Sequence, residues 1–151
     1  MSQIHTEVSD IIPARPEVVY TVLTDYRVGH PAILPKPYFT ELQVEQGGQG
    51  AGTVVRTRMV VMGVERIFRL TVSEPEPGRV LKEVDEQAGV VTTFTVEPLN
   101  GGQQTRVTIA TDARASPGVM GMMEKLMNPP ITRRIYAEEL RQLAEYVRQQ
   151  Q

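Results

Sequence analysis

The sequence has no cysteine and no tryptophan, and it has only two histidines. Without cysteine, the chain forms neither disulfides nor thiolate nucleophiles, and the common cysteine-containing zinc sites are excluded. The histidines, His5 and His30, lie far apart in the sequence and belong to no metal-binding motif. We therefore expect no metal site, and no motif in the sequence calls for a cofactor.

Strong charge and long apolar runs are also missing. The formal net charge is -2 over 151 residues, and like charges do not cluster, which argues against a nucleic-acid partner. No apolar run approaches the ~20 residues of a membrane span, and residues 1–7 lack the apolar core of a secretory signal. We expect a soluble, cytoplasmic, single-domain protein over residues 1–151, without an integral membrane segment, as a monomer or a homodimer.

The clearest pattern in the sequence lies in residues 128–151. At helical spacing, one face of this segment carries a narrow, mostly apolar stripe. The stripe consists of Thr132, Tyr136, Leu140, Leu143 and Val147. Asn128 is a good N-cap, and Pro129 fits the first helical position, where a missing N–H costs nothing. The segment predicts a helix of roughly 30 Å that must lie on an apolar surface.

Upstream of this helix, the periodicity from Phe39 onward is two, which is typical of half-buried strands. Predicted strands cover residues 39–45, 53–62, 64–74, 79–85, 90–99 and 105–113. Short Gly- and Pro-rich turns separate them, so the strands can pair only as antiparallel hairpins. A first strand at 4–12 and two short helices after it complete an α+β prediction. Its seven-stranded antiparallel sheet receives the long C-terminal helix on one face.

Several local strings, in this order and spacing, resemble one known family. They are IPARPEVVY at 12–20, LTDY at 23–26, LP at 34–35, SEPEPGR at 73–79 and TRVT at 105–108. Together with the order of elements, they resemble the START-like or SRPBCC superfamily, which includes polyketide cyclase/dehydrase and lipid-transport-like proteins. The resemblance implies a helix-grip fold, in which the sheet curls around the C-terminal helix and leaves a cavity for an apolar small molecule.

The residues expected to line that cavity come from the buried sheet face, a Met-rich segment and the helix stripe. Methionine adapts to irregular ligands, and threonine and tyrosine place a few hydroxyls on otherwise apolar walls. The alternative is that these residues simply fill gaps in a packed core. The candidates are Tyr38, Thr57, Met59, Arg66, Phe68, Leu70, Thr92, Phe94, Thr111, Met122, Met123, Leu126, Thr132, Tyr136 and Leu140.

Arg66 is the sharpest single candidate. Counted in steps of two from Phe68, it falls on the buried face of its strand. A guanidinium keeps its charge, so burial requires an acidic partner, either a ligand group or Glu83 or Asp85 on the next strand. The simpler alternative is a bulge near Gly63 that turns Arg66 outward.

His30 is the second candidate for chemistry. It precedes Pro31 near the expected mouth of the cavity, where an imidazole could act as a general acid or base. No motif places a nucleophile beside it. A solvated loop histidine is therefore the simpler interpretation.

Three functions remain open from the sequence. The favoured one is a carrier or sensor that binds a lipid, a quinone, a polyketide or another aromatic metabolite. The alternative is a polyketide cyclase/dehydrase-like enzyme, in which His30, Arg66 or Tyr136 would assist acid/base chemistry. A protein-binding regulatory module is a third possibility. The carrier is favoured because sequence spacing alone offers no acid/base pair.

Overall fold

The computed structural model describes residues 2–115 and 128–150. Most of these residues form one antiparallel sheet with a long helix at the C-terminal end. The elements in chain order are β1 Ser2–Ile12, α1 Pro16–Thr24, α2 Gly29–Ile33, β2 Phe39–Gln46, β3 Val54–Val61, β4 Val64–Glu76, β5 Val80–Asp85, β6 Val90–Leu99, β7 Gln104–Ala115 and α3 Pro129–Gln150. Met122, Met123 and Leu126 lie outside the described residues.

The sheet has seven strands in the order β1-β7-β6-β5-β4-β3-β2. Every neighbouring pair is antiparallel, and β1 joins β7 at the edge. With two short helices after the first strand and a long C-terminal helix, the arrangement is the predicted helix-grip fold. The α+β prediction is confirmed.

The hairpin between β3 and β4 fixes which side chains of these strands point inward. Its turn is formed by Met62 and Gly63, with φ values of 52° and 77°, the positive pair that a tight two-residue turn requires. The register then runs without interruption from Val61 opposite Val64 to Val54 opposite Thr71. No bulge shifts the phase of β4 along this pairing.

Alternation along the strands separates a buried face from an exposed one. In β6, Val90, Thr92, Phe94 and Val96 are buried, whereas the residues between them are half-buried. Burying each large apolar side chain contributes roughly 1.5–3 kcal/mol, so a one-residue slip would be strongly disfavoured. The sheet therefore presents one fixed inner face to the helices.

The helix α3 packs against β1, α1 and α2. Its stripe is buried as predicted, and Leu140, Leu143 and Val147 are completely inaccessible to solvent. Two further residues of α3, Ile135 and Glu139, are buried with them. The second of these is an acidic side chain on the apolar face of a helix.

The segment that carries α1 and α2 is held by the loop between β2 and β3. The amide of Tyr26 donates to the Gly48 carbonyl, and the amide of Gly50 donates to the Thr24 carbonyl, both at 2.9 Å. Gly48 has φ +138°, a backbone conformation that glycine adopts without the strain that any other residue would meet. This close fit places the residues after α1 against the sheet.

Candidate ligand-binding cavity

A cavity opens between the inner face of the sheet, α2 and α3. It encloses about 590 Å³ of empty space, counting the open solvent at its mouth. Most of its wall is aliphatic or aromatic, and the polar groups are few. The lining residues are His30, Leu34, Phe39, Leu42, Val55, Thr57, Met59, Phe68, Leu70, Glu83, Val90, Thr92, Phe94, Tyr136 and Glu139.

Nearly half of the residues expected to contact a ligand lie on this wall. Those that line the cavity are Thr57, Met59, Phe68, Leu70, Thr92, Phe94 and Tyr136. They come from three different strands and one helix, which the fold brings to one place. Their contact with a ligand remains a prediction.

Other expected residues lie off the wall. Leu140 and Thr132 are completely buried in the packing of α3. The Thr132 hydroxyl has no hydrogen-bond partner within the described residues. Tyr38 is half-buried and packs against the core. Thr111 is buried one step behind the wall, where its hydroxyl bonds that of Tyr136. These residues support the cavity and do not face it.

Arg66 is half-buried on the same face of β4 as Phe68. Its Cζ stands 6.0 Å from the centre of the Phe68 ring, at the limit of a cation–π contact. Because the β3–β4 register is continuous, the alternative of a bulge that turns Arg66 outward is wrong. Of its expected partners, Asp85 accepts hydrogen bonds from the amides of Arg69 and Ala88.

His30 is buried, with 2% of its surface exposed. Its ring stacks on Tyr26 with centroids 4.5 Å apart and meets the edge of Phe94 at 5.4 Å. Nδ1 donates to the Leu23 carbonyl at 2.7 Å, and since a carbonyl only accepts, the proton of Nδ1 is fixed. The interpretation of His30 as a solvated loop residue is wrong.

The other ring nitrogen of His30 faces an acidic side chain. Nε2 lies 3.5 Å from Oε2 of Glu83, and the Tyr26 hydroxyl donates to the same oxygen at 2.6 Å. Burial and the negative charge of Glu83 hold the pKa of Tyr26 well above its ordinary value. Glu83 therefore accepts a short hydrogen bond from Tyr26, whose hydroxyl keeps its proton.

A second acidic side chain reaches the cavity from α3. Glu139 is 2% exposed, and its Oε2 has no hydrogen-bond partner among the residues described. Burial, and then the negative charge of Glu83, raise the pKa of Glu139 well above its ordinary value. Glu139 thus favours its neutral, protonated form in the free protein.

A chain of hydroxyls ties α3 to the sheet beside these acids. The Tyr136 hydroxyl bonds Oγ1 of Thr111, which bonds Oγ1 of Thr92 at 2.8 Å. Burial raises the pKa of Tyr136, so its hydroxyl stays protonated. The chain fixes the position of the helix turn that carries Glu139.

Comparison with known proteins places this geometry in a family. Residues 3–148 match the model of a family described as polyketide cyclase / dehydrase and lipid transport. The chain belongs to this family. The predicted resemblance to the START-like superfamily is confirmed. No curated protein matches the chain.

Solved structures repeat the whole fold of this polyketide cyclase/dehydrase and lipid-transport family member. The protein KanY is 31% identical over 98% of this chain and 99% of its own, with a TM-score of 0.83. TTHA0849 from Thermus thermophilus is 23% identical over 95% and 96%, with a TM-score of 0.74. The Zhui aromatase/cyclase from Streptomyces sp. R1128 is 19% identical over 97% and 94%, also with a TM-score of 0.74. The last two show the likeness of fold alone.

Two acids of this family member's cavity were not identified as site residues from the sequence. Glu83 appeared there only as a partner for Arg66, and Glu139 did not appear at all. A signal for Glu139 exists, since it lies three residues after Tyr136 and four before Leu143, on the apolar stripe. Within residues 2–115 and 128–150, no group of three or more acidic or histidine side chains has the geometry to hold a metal ion. No helix there is long and apolar enough to cross a bilayer.

Proposed function

We propose that this protein binds an apolar small molecule in the cavity between the sheet and α3, as a carrier or sensor. Lipids, quinones, polyketides and other aromatic metabolites are the ligand classes with the right character. The observation that carries the proposal is the contiguous apolar and aromatic lining of the cavity. The few polar groups among these apolar side chains are the usual makeup of a site that orients a small ligand.

The contrast with the rest of the core supports a built site. Elsewhere on α3, Leu140, Leu143 and Val147 pack with no exposed surface. A void among apolar side chains forfeits dispersion contacts, so close packing is the rule in protein interiors. A ligand that fills the space would restore those contacts, and its removal from water would add to the binding free energy.

Filling the cavity with a larger side chain tests this function. Leu70 lines the cavity from β4, whereas Ile67 on the same strand is 44% exposed on the opposite face. The probe is N-phenyl-1-naphthylamine, an uncharged dye that fluoresces in apolar surroundings. We expect Leu70→Trp to abolish dye binding and Ile67→Trp to leave it unchanged. Equal binding by both variants, or none by the wild-type protein, would overturn the proposal.

A second function, acid/base catalysis on the bound molecule, is favoured by one observation. Glu139, held neutral by burial, and the pair of Glu83 with His30 Nε2 line the same cavity. When two titratable groups of one site lie in contrasting environments, one can act as the acid and the other as the base. In a cyclase/dehydrase-like reaction, Glu139 would donate to a ligand carbonyl. Glu83 or His30 would accept a proton from the carbon next to that carbonyl, and the ligand would become an enol.

Hydrogen exchange tests that second function without knowledge of the natural substrate. The probe is 2-acetonaphthone in deuterated water, with deuterium entry at its methyl group followed by NMR. We expect acceleration by the wild-type protein, and a loss of ~10²–10⁴-fold in Glu139→Gln, with ketone binding retained. The neighbouring acid, which does not line the cavity, provides the control, since Glu138→Gln should exchange as the wild type does. If the wild-type protein binds the ketone but deuterium enters at the uncatalysed rate, the enzymatic function is excluded and the carrier function stands.

A further inference from the structure

The ionisable groups on the described cavity wall include no permanently cationic side chain. They are His30, Glu83, Tyr136 and Glu139, and neither lysine nor arginine occurs among the described lining residues. An apolar wall with two carboxyl groups and no cation among the described lining residues disfavours anionic ligands. A fatty acid or another carboxylate is therefore a poor occupant.

The unpartnered oxygen of Glu139 indicates what kind of group completes the site. Burying a carboxyl oxygen without a hydrogen bond is costly, and such groups in folded proteins are rare. Oε2 of Glu139 is in this state within the described part of the chain, and the residue lines the cavity. A neutral hydroxyl would supply one hydrogen bond. A cation would supply the hydrogen bond and also a positive charge beside the two acids.

The rings around the acids favour the same class of ligand. Phe39, Phe68, Phe94 and Tyr136 line the cavity, and the faces of aromatic rings attract organic cations. Carboxylates together with several rings form a setting for an ammonium group attached to an apolar body. Aliphatic walls alone would favour no particular charge.

We propose that the molecule bound in this cavity is an apolar amine, whose protonated nitrogen is held by Glu139 and Glu83 among the aromatic rings. The inference rests on the proposed binding function and adds the ligand class to it. In this inference, Glu139 is the residue that selects ligands by their charge. It also couples binding to a proton, because Glu139 must ionise to pair with the ammonium.

The ionisable groups around Glu139 come from β5, α2, α3 and the segment between α1 and α2. Glu83 of β5 opposes the ionisation of Glu139, and His30 of α2 lies against Glu83. Tyr26 and Tyr136 keep their hydroxyl protons. A protonated amine that enters this group brings a positive charge and displaces about one proton, chiefly from Glu139. A carbonyl ligand would leave Glu139 protonated and displace none.

Calorimetry with three matched ligands tests the inference. They are 2-naphthylmethylamine, 2-naphthalenemethanol and 2-naphthoic acid, which share the aromatic body and differ in charge. At about pH 6, we expect the amine to bind at least about tenfold more tightly than the alcohol, and the acid to bind more weakly than both. Titrations in buffers of different ionisation enthalpy should show about one proton released per amine and none per alcohol.

Two variants test whether Glu139 causes the proton release and the preference for the amine. Glu139→Gln should abolish the proton release and bring the amine and the alcohol within about threefold of each other. Glu138→Gln, one residue away and not part of the cavity lining, should retain both properties. If Glu139→Gln does not fold, the number of protons that the wild-type protein releases per amine decides whether the inference holds.

The outcomes separate this inference from the function it rests on. If the wild-type protein binds the alcohol as tightly as the amine, or releases no proton with the amine, the inference fails while the binding function stands. If none of the three ligands nor the neutral dye binds, the binding function fails as well.

Discussion

The buried Glu139 should make the stability of the protein fall as the pH rises. In the unfolded chain its carboxyl ionises near its ordinary pKa of 4.5, whereas burial and the charge of Glu83 raise the pKa in the folded chain. Between these two pKa values, the folded state holds one more proton than the unfolded state. The stability contributed by this proton is complete below about pH 4.5 and is lost as the pH rises toward the folded pKa.

The pH dependence of the unfolding free energy is set by the one extra proton that the folded state holds. Each pH unit in this window costs about 1.4 kcal/mol of unfolding free energy. A single pH unit is therefore already a measurable share of the ~5–15 kcal/mol that typically holds a domain folded. Glutamine has the shape of the protonated acid and cannot ionise. Glu139→Gln should therefore lack this component of the pH profile.

Urea unfolding at a series of pH values measures this effect. The stability of the wild-type protein minus that of Glu139→Gln should fall by about 1.4 kcal/mol per pH unit from about pH 5 upward. The control is Glu138→Gln, because Glu138 is only half-buried and its hydrogen bond to Arg141 lowers its pKa. A difference that stays constant with pH would refute the claim that Glu139 is held neutral.

Three further substitutions test the packing around the cavity. Tyr26→Phe should cost about 1.5–3 kcal/mol in urea unfolding, because it removes the short hydrogen bond to the acidic Glu83. Leu140→Ala should cost about 2–5 kcal/mol in the same assay, since the side chain has no exposed surface. Tyr136→Phe should cost about 1 kcal/mol, because it removes the hydroxyl link to Thr111. In a chain of this size, that loss lowers the Tm by about 2–4 °C in a thermal scan.

The fold was predictable because its signals are local. The sixth strand, Val90–Leu99, has the bounds that period-two alternation predicts, and the helices α1 and α3 start at Pro16 and Pro129, where their sequence signals lie. Short turns leave antiparallel pairing as the only topology for consecutive strands. Each of these inferences needs only a window of about ten residues.

The site was less predictable because its chemistry depends on contacts between distant segments. His30 approaches Glu83 only because α2 docks on the sheet, and no periodicity in a short Pro-flanked segment predicts that docking. The burial of Glu139 follows from its position on the α3 stripe. Its lack of a partner within the described residues depends on the space left between helix and sheet. Sequence patterns indicate which side chains face inward, but they do not show where the facing surfaces fail to touch.

A crystal structure of the protein grown with N-phenyl-1-naphthylamine tests the central claim most directly. The claim is that the space between the sheet and α3 is a binding site. We predict density for the dye between Phe94 and Tyr136, with its rings against Phe68 and its nitrogen toward Glu139. A cavity filled by the protein's own side chains, with the dye absent or bound only on the outer face of the sheet, would contradict it.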